Sequence, residues 1–415
     1  MGSELSLRWP HYGADEIDAV REVLQSGRAN YWTGVHGKNF ENEFATWCQV
    51  EFAVALMNGT IALELALQAL GIGAGDEVIV PPRSFIASVS AVLKVGAKPI
   101  FADVDINTGN ITAGTITQVL TSKTRAVICV HLAGWPCDMD PIMTLSRLHG
   151  FRVVEDCAQA HGAIYKGRRA GSIGDVAAWS FCQDKIISTG GEGGMVTTND
   201  EKIWRKVWSL KDHGKDFDIS TQPSESIGFR WVHSSFGTNA RMTEVQAVIG
   251  RLQLKKIERW WRQRMSNASQ LRTALAPFLG DNGMIFLPEF RCSNSCDGQC
   301  LTYPNDDAQS QVCRHAFYRF YVYIRPENVK KDWSRDRILY ELNRRKVPCL
   351  AGSCPEIYLE EAFASTDYRP EKRLKNAKTL GETSLAFLVH PTLTSDELDL
   401  LKVGVEEVFG AACKN

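Results

Sequence analysis

A chain of 415 residues exceeds the ~250–300 at which one hydrophobic core stops growing, so two domains are expected. Its residues are 44% hydrophobic and 23% charged, an ordinary globular mix, and a formal net charge of −1 excludes a globally basic surface for nucleic acid or anionic membrane. No window nears the ~18 apolar residues of a membrane span. The start Met1-Gly2-Ser3-Glu4-Leu5-Ser6 lacks a secretory pattern; its fit to a myristoylation spacing, with no second membrane signal, reads as chance or a cloning remnant.

From residue 52 the chain alternates short apolar runs with amphipathic stretches. Strands are predicted at 52–57, 77–80, 98–101, 125–130 and 152–155, with helices at 60–70, 85–95 and 141–148 between them. The first helix draws apolar contacts from Leu63, Leu65, Leu67 and Leu70. Nearly wholly apolar strands separated by helices predict a mostly parallel sheet covered on both faces, a large three-layer α/β domain. Residues 195–198 read as a further strand, and 242–264 as a long helix with Val245, Val248, Ile249 and Leu252 on one face. The domain boundary falls in this helix, giving a large domain over 1–255 and a small one over 256–415. The second part carries a predicted strand at 315–324 and helices near 334–345 and 395–408, a smaller C-terminal α+β domain.

Twelve cysteines scattered through so long a chain read as reduced thiols in the cytoplasm. Cys292, Cys296 and Cys300 are separated by three-residue gaps, with Cys313 further on, in a stretch rich in Ser, Asn, Asp and Gln. Zinc knuckles usually space their ligands by two, so a solvated loop is the favoured reading over a metal site, and no metal is expected. Asn58, Asn110 and Asn267 begin Asn-x-Ser/Thr sequences that carry no weight without a secretory signal.

Ligands of open α/β sheets bind beyond the carboxyl ends of the strands. Three motifs converge there: Asn58-Gly59-Thr60 and Ser84-Phe85 at strand-to-helix junctions, and Asp156 in Glu155-Asp156-Cys157-Ala158-Gln159 beyond the strand at 152–155. A fourth, Ser180-Phe181-Cys182-Gln183-Asp184-Lys185, is trailed by Thr189-Gly190-Gly191-Glu192-Gly193-Gly194. Apolar neighbours argue against a freely solvated Lys185, and the glycines let backbone approach a ligand. One cofactor needs this set. Pyridoxal phosphate requires an amine to form an imine, an acid to keep its ring nitrogen protonated, and amide and hydroxyl donors for its phosphate. Asp156 alone reads better as a cap of the next helix; Gln159, three residues on, tilts the balance toward the cofactor. Gly59 and Thr60 open a helix whose free amides suit a phosphate, and Ser180 could add a hydroxyl. Phe85 could stack on the ring, though an aromatic at a helix start is more often core.

These residues resemble the DegT/DnrJ/EryC1/StrS sugar aminotransferases, of the aspartate-aminotransferase fold type. The resemblance covers nearly the whole chain and includes Asn58-Gly59-Thr60-Ile61-Ala62-Leu63, Gly75-Asp76-Glu77-Val78-Ile79-Val80-Pro81 and Gly237-Thr238-Asn239-Ala240-Arg241-Met242. It implies that Lys185 carries pyridoxal 5'-phosphate, that Asp156 and Gln159 meet the ring nitrogen and ring oxygen, and that Gly59, Thr60 and Ser180 hold the phosphate. It further implies that Phe85 stacks on the ring. Asn239 would reach the cofactor of a neighbouring subunit in a homodimer, and Arg241 the substrate. The implied reaction moves an amino group from L-glutamate to a keto group on a nucleotide-linked hexose. A keto-cyclitol acceptor and a non-catalytic relative are the alternatives. Three departures stand out: Arg83 where a small or polar residue is usual, Gln183-Asp184 before the lysine, and the insertion from Cys292 to Cys313.

Overall fold

The computed structural model describes residues 9–223, 228–288 and 313–414. The chain enters through α1 (Ala14–Ser26) and α2 (His36–Cys48). It then lays down β1 (Phe52–Leu56), α3 (Gly59–Ala69), β2 (Glu77–Val80), α4 (Ala87–Lys94), β3 (Lys98–Phe101), α5 (Ala113–Thr117), β4 (Thr124–Val130), α6 (Met139–His149) and β5 (Arg152–Asp156). Short strands β6 (Ile164–Tyr165) and β7 (Arg168–Arg169) precede β8 (Val176–Ser180), β9 (Gly194–Thr198), α7 (Glu201–Lys211), α8 (Phe217–Thr221) and α9 (Glu244–Leu275). The last part holds β10 (Ile285–Phe286), β11 (Cys313–Arg314), β12 (Phe320–Ile324), α10 (Arg335–Arg344), β13 (Cys349–Leu350), α11 (Lys375–Thr383), β14 (Ser384–Phe387) and α12 (Ser395–Ala412).

Seven strands form one sheet in the order β1, β9, β8, β5, β4, β2, β3. All share one direction except β9, which runs antiparallel to both neighbours. The reason is local: the 181–193 stretch between β8 and β9 contains no helix, and a parallel return needs a crossover of a dozen or more residues, usually helical. Strand alternation sends Val54 and Leu56 to one face, with Leu63, Leu67 and Val89, and Ala53 and Ala55 to the other, with Phe40, Phe44, Leu254 and Ile257. Helices thus cover both faces, as the continuous apolar strands require.

Helix α9, 32 residues and about 48 Å long at 1.5 Å per residue, starts from a Thr243 cap whose hydroxyl accepts from the Gln246 amide while the Gln246 side chain reaches back. Its first half packs on α1 and α2, its second on α12. Beyond it β10, β12, β14 and β13 form a four-stranded antiparallel sheet. The predicted strand at 315–324 is shorter, because Phe317 takes a left-handed φ of 52° and the amides of Ala316 and Tyr318 instead donate to the Gly134 and Ala133 carbonyls. Arg83, buried at 1% exposure, leans on the rings of Tyr321 and Tyr323 and donates to the Tyr323 hydroxyl at 2.6 Å, joining the large sheet to the small one.

Among the described residues no helix is long and apolar enough to cross a membrane. Asn110 and Asn267 are buried and Asn58 caps α3, so none of the three Asn-x-Ser/Thr sites presents an open acceptor. Cys292, Cys296 and Cys300 and the start at Met1 lie outside the described residues. Cys313 is buried in β11, where its sulfur accepts from the Lys166 amide at 3.4 Å.

Candidate active site

The carboxyl ends of β1, β5 and β8 bring the sequence-predicted residues onto one rim. Asn58 caps α3, its side chain accepting from the Ile61 amide at 2.9 Å. The amides of Gly59 and Thr60 belong to the first turn, which has no intrahelical acceptor for them. A side chain at Gly59 would lie 2.6 Å from the Ser180 Cβ, so only glycine lets α3 close on the end of β8. Three phosphate-binding candidates are thereby joined: Gly59, Thr60 and Ser180.

Asp156 ends β5 and pairs in register with Ala178 of β8. It is 6% exposed. One carboxylate oxygen accepts from the Ala158 amide at 3.1 Å, the other from the Ser88 hydroxyl at 2.8 Å. Burial raises its pKa above the ordinary carboxylate range, against the opposing pull of those two donors and of Lys185. A buried carboxylate so placed favours a cationic partner. Gln159 is buried, with its side-chain oxygen accepting from the Ala133 amide at 2.6 Å, which leaves its NH2 to donate.

Lys185 sits just past β8, its amide bonded to the Cys182 carbonyl at 3.0 Å. Gly191, at φ 111°, allows the turn that follows. The Lys185 ammonium lies 3.1 Å from Asp184 and 3.4 Å from the Tyr318 hydroxyl, which itself donates to Asp184. Burial alone would lower the lysine pKa; Tyr318 and Asp184 outweigh it and hold the amine charged. Nearby His161 packs at a tilt against the rings of Trp179 and Phe181, and burial drops its pKa to about 3, so it stays neutral.

Phe85 is 68% exposed. The predicted helix at 85–95 begins only at Ala87, so Phe85 stands in the loop at the mouth of the rim rather than in the core. Asn239 and Arg241 lie on a separate segment beside β1. Asn239 is exposed and bridges to Asp212, whereas Arg241 is engaged by the buried Asp212 carboxylate at 2.6 Å.

Sequence reasoning missed Ser84, Ser88, Asp184 and Tyr318 as partners of the two central groups. Ser84 and Ser88 had a signal: small hydroxyls four apart where a helix leaves the strand rim. Tyr318 had none, since it arrives from 133 residues beyond Lys185. His131, Glu155 and Cys157 come close enough to suggest a metal. Their donors are already occupied. Glu155 accepts from His131 and from the amides of Gly171, Ile173 and Gly174, while His131 Nδ1 accepts from the Cys137 amide. Burial raises the Cys157 thiol well above its ordinary pKa and keeps it protonated.

Residues 10–403 match the sequence model of the DegT/DnrJ/EryC1/StrS aminotransferase family. The solved structure of an aminotransferase from Psychrobacter cryohalolentis is 53% identical and superposes with a TM-score of 0.91, over 97% of this chain and 98% of that one. A GDP-perosamine synthase of Caulobacter vibrioides is 42% identical over 257 residues, 61% of this chain and 65% of that protein, so the chain spans just under two thirds of that relative. A dTDP-3-amino-3,4,6-trideoxy-alpha-D-glucose transaminase of Streptomyces venezuelae is 33% identical over 390 residues, 94% of this chain and 91% of its own length. The buried acid, the adjacent amine and the Gly59–Ser180 cradle fit the pyridoxal phosphate on which that family depends. The chain belongs to the DegT/DnrJ/EryC1/StrS aminotransferase family.

Proposed function

We propose that the protein moves an amino group from L-glutamate to a keto group on a nucleotide-linked hexose, for amino-sugar and surface-polysaccharide synthesis. The observation that carries this reading is the placement of Lys185 and Asp156 on neighbouring strand ends, within electrostatic reach of each other and beside the Gly59–Ser180 cradle. The relatives named as GDP-perosamine synthase and dTDP-amino-sugar transaminase support the acceptor class.

In this reading Lys185 carries the cofactor, Asp156 faces the ring nitrogen and the Gln159 NH2 donates to the ring oxygen. Gly59, Thr60 and Ser180 hold the phosphate, and Phe85 covers a ring face. Bound pyridoxal phosphate supplies an electron sink for the pair left when the amino acid Cα loses its proton. Lys185 Nζ would take that proton and return it to the carbon on the other side of the transferred nitrogen, a 1,3-shift that uses one amine first as general base and then as acid. Asp184 and Tyr318 receive the amine when it is free. Phe85, exposed in the single chain, would cover the ring from the mouth of the rim, above the buried Asp156.

A homodimer with shared sites completes the proposal, with Asn239 reaching the phosphate held by the second copy and Arg241 near its substrate. Exposed Phe229, Trp231 and Phe236 on the segment leading to Asn239 support an apolar partner there. Free thiols at all the described cysteines support a cytoplasmic setting, and the position of α9 supports a division into 1–255 and 256–415.

The direct test supplies glutamate with a panel of keto-sugar nucleotides and follows 2-oxoglutarate. Turnover with a keto-cyclitol alone moves the assignment to that acceptor, and no cofactor binding at all removes the transaminase reading. Shared sites have their own signature. Mixing inactive Lys185→Ala with weakened Asn239→Ala subunits pairs an intact lysine with an intact asparagine in one site of each mixed dimer. Recovery toward about a quarter of wild-type activity is expected at statistical exchange. No recovery after verified exchange refutes the shared site.

A further inference from the structure

We propose that Ser88, backed by Ser84, is a positioning residue that keeps Asp156 ionised and aimed at the cofactor ring. The inference rests on the reading of Asp156 as partner of the ring nitrogen. Ser88 is 1% exposed and Ser84 2%, so neither hydroxyl has bulk water as an alternative. The Ser88 hydroxyl donates to Asp156 Oδ2 at 2.8 Å, and the two serine oxygens are 2.9 Å apart. With the Ser88 proton committed to the carboxylate, the Ser88 oxygen is left to accept, so Ser84 is the donor of the second bond. The result is a two-step relay of donors ending on the acid, each bond polarising the next.

Ser84 is itself fixed from outside the large sheet. Its amide donates to the Cys354 carbonyl at 3.2 Å, so the Gly352–Pro355 turn anchors the far end of the relay. The other groups that act on Asp156 are the Ala158 amide and the charge of Lys185, and nearby His131 is turned toward Glu155. Removal of Ser88 therefore leaves one protein donor on a carboxylate that burial already drives toward the neutral acid. A neutral acid hands no charge to the ring: the proton shared between acid and ring nitrogen moves to the acid, and the positive charge leaves the ring.

The test titrates the visible absorbance band of lysine-linked cofactor in the loaded protein from about pH 6 to 10. A less positive ring withdraws fewer electrons, so the lysine nitrogen becomes more basic. Ser88→Ala is expected to raise the midpoint by about one unit and to slow single-turnover amine transfer from glutamate about tenfold, the size of one hydrogen bond to a charged group. Ser88→Thr keeps the hydroxyl and is expected near wild type. Ser88→Cys fills the volume with a weak donor and should behave as the alanine, which keeps the test open should Ser88→Ala fold poorly. A wild-type midpoint in both the alanine and the cysteine variants, with only a lower Tm, makes Ser88 a packing residue and overturns the proposal. A wild-type protein without the band overturns instead the reading of Asp156 and Lys185 on which it rests.

Discussion

Lys185→Ala is expected to abolish covalent capture of the cofactor and to lower amine transfer at least about a thousandfold. After borohydride reduction the wild-type chain should carry the cofactor mass and the variant should not. The size of the effect follows from geometry. Lys185 is the amine held at the rim by Asp184 and Tyr318, so both the covalent tether and the mobile proton are lost together. The fold should survive. Tyr318 still donates to Asp184 in the variant, which leaves no hydroxyl of that pair stranded. A variant that retains reducible cofactor and transfers amine at wild-type rates would move the chemistry to another lysine.

Asp156→Asn should separate stability from catalysis. The folded pKa of Asp156 lies above its ordinary value, with burial as the first cause. The folded chain therefore holds this proton more tightly than the unfolded one. Stability from the group is fully present below the unfolded pKa and is lost as pH rises through the folded value. Without cofactor, Asp156→Asn is expected to match or exceed the wild-type Tm at about pH 8, with the gap closing toward about pH 4. Loaded with cofactor, the same variant should transfer amine roughly a hundredfold more slowly, because an amide cannot hold a ring proton as a carboxylate does. Thermal melts at the two pH values and single-turnover rates measure the two halves. A cofactor-free variant clearly less stable at high pH contradicts the sign.

The sequence exposes the parts of this molecule whose physics is local. Strands β1 to β5 each carry a short apolar run, and β2 and β3 match their predicted ends because charged or glycine-bearing turns flank them. Helices α1 and α2 escape a reading that starts at residue 52, and β8 is hidden as the approach to Lys185. The reversed direction of β9 was legible in principle from the missing crossover helix. The break at Phe317 was not, since its left-handed backbone answers to a turn at Ala133 far away in sequence. The site divides the same way. Lys185, Asp156, Gln159, Gly59 and Ser180 announce themselves by residue type and spacing at strand ends. Ser88 and Tyr318 matter through where folding carries them, and a serine or a tyrosine carries no such label in a linear chain.

The place of β9 has a consequence for how the protein is made. Among the described residues β1 has one ladder partner, β9, whose register pairs Phe52 with Thr198 and Leu56 with Gly194. On the ribosome, the first strand to emerge stays unpaired until some 140 further residues have followed, at roughly 5–20 residues per second. Strands β2 to β5 can assemble in that interval, with the lysine loop arriving just ahead of the last piece. The catalytic rim is thus closed by the same late event that seals the sheet, and a nascent chain stalled before residue 194 exposes an open edge to chaperones or to its neighbours.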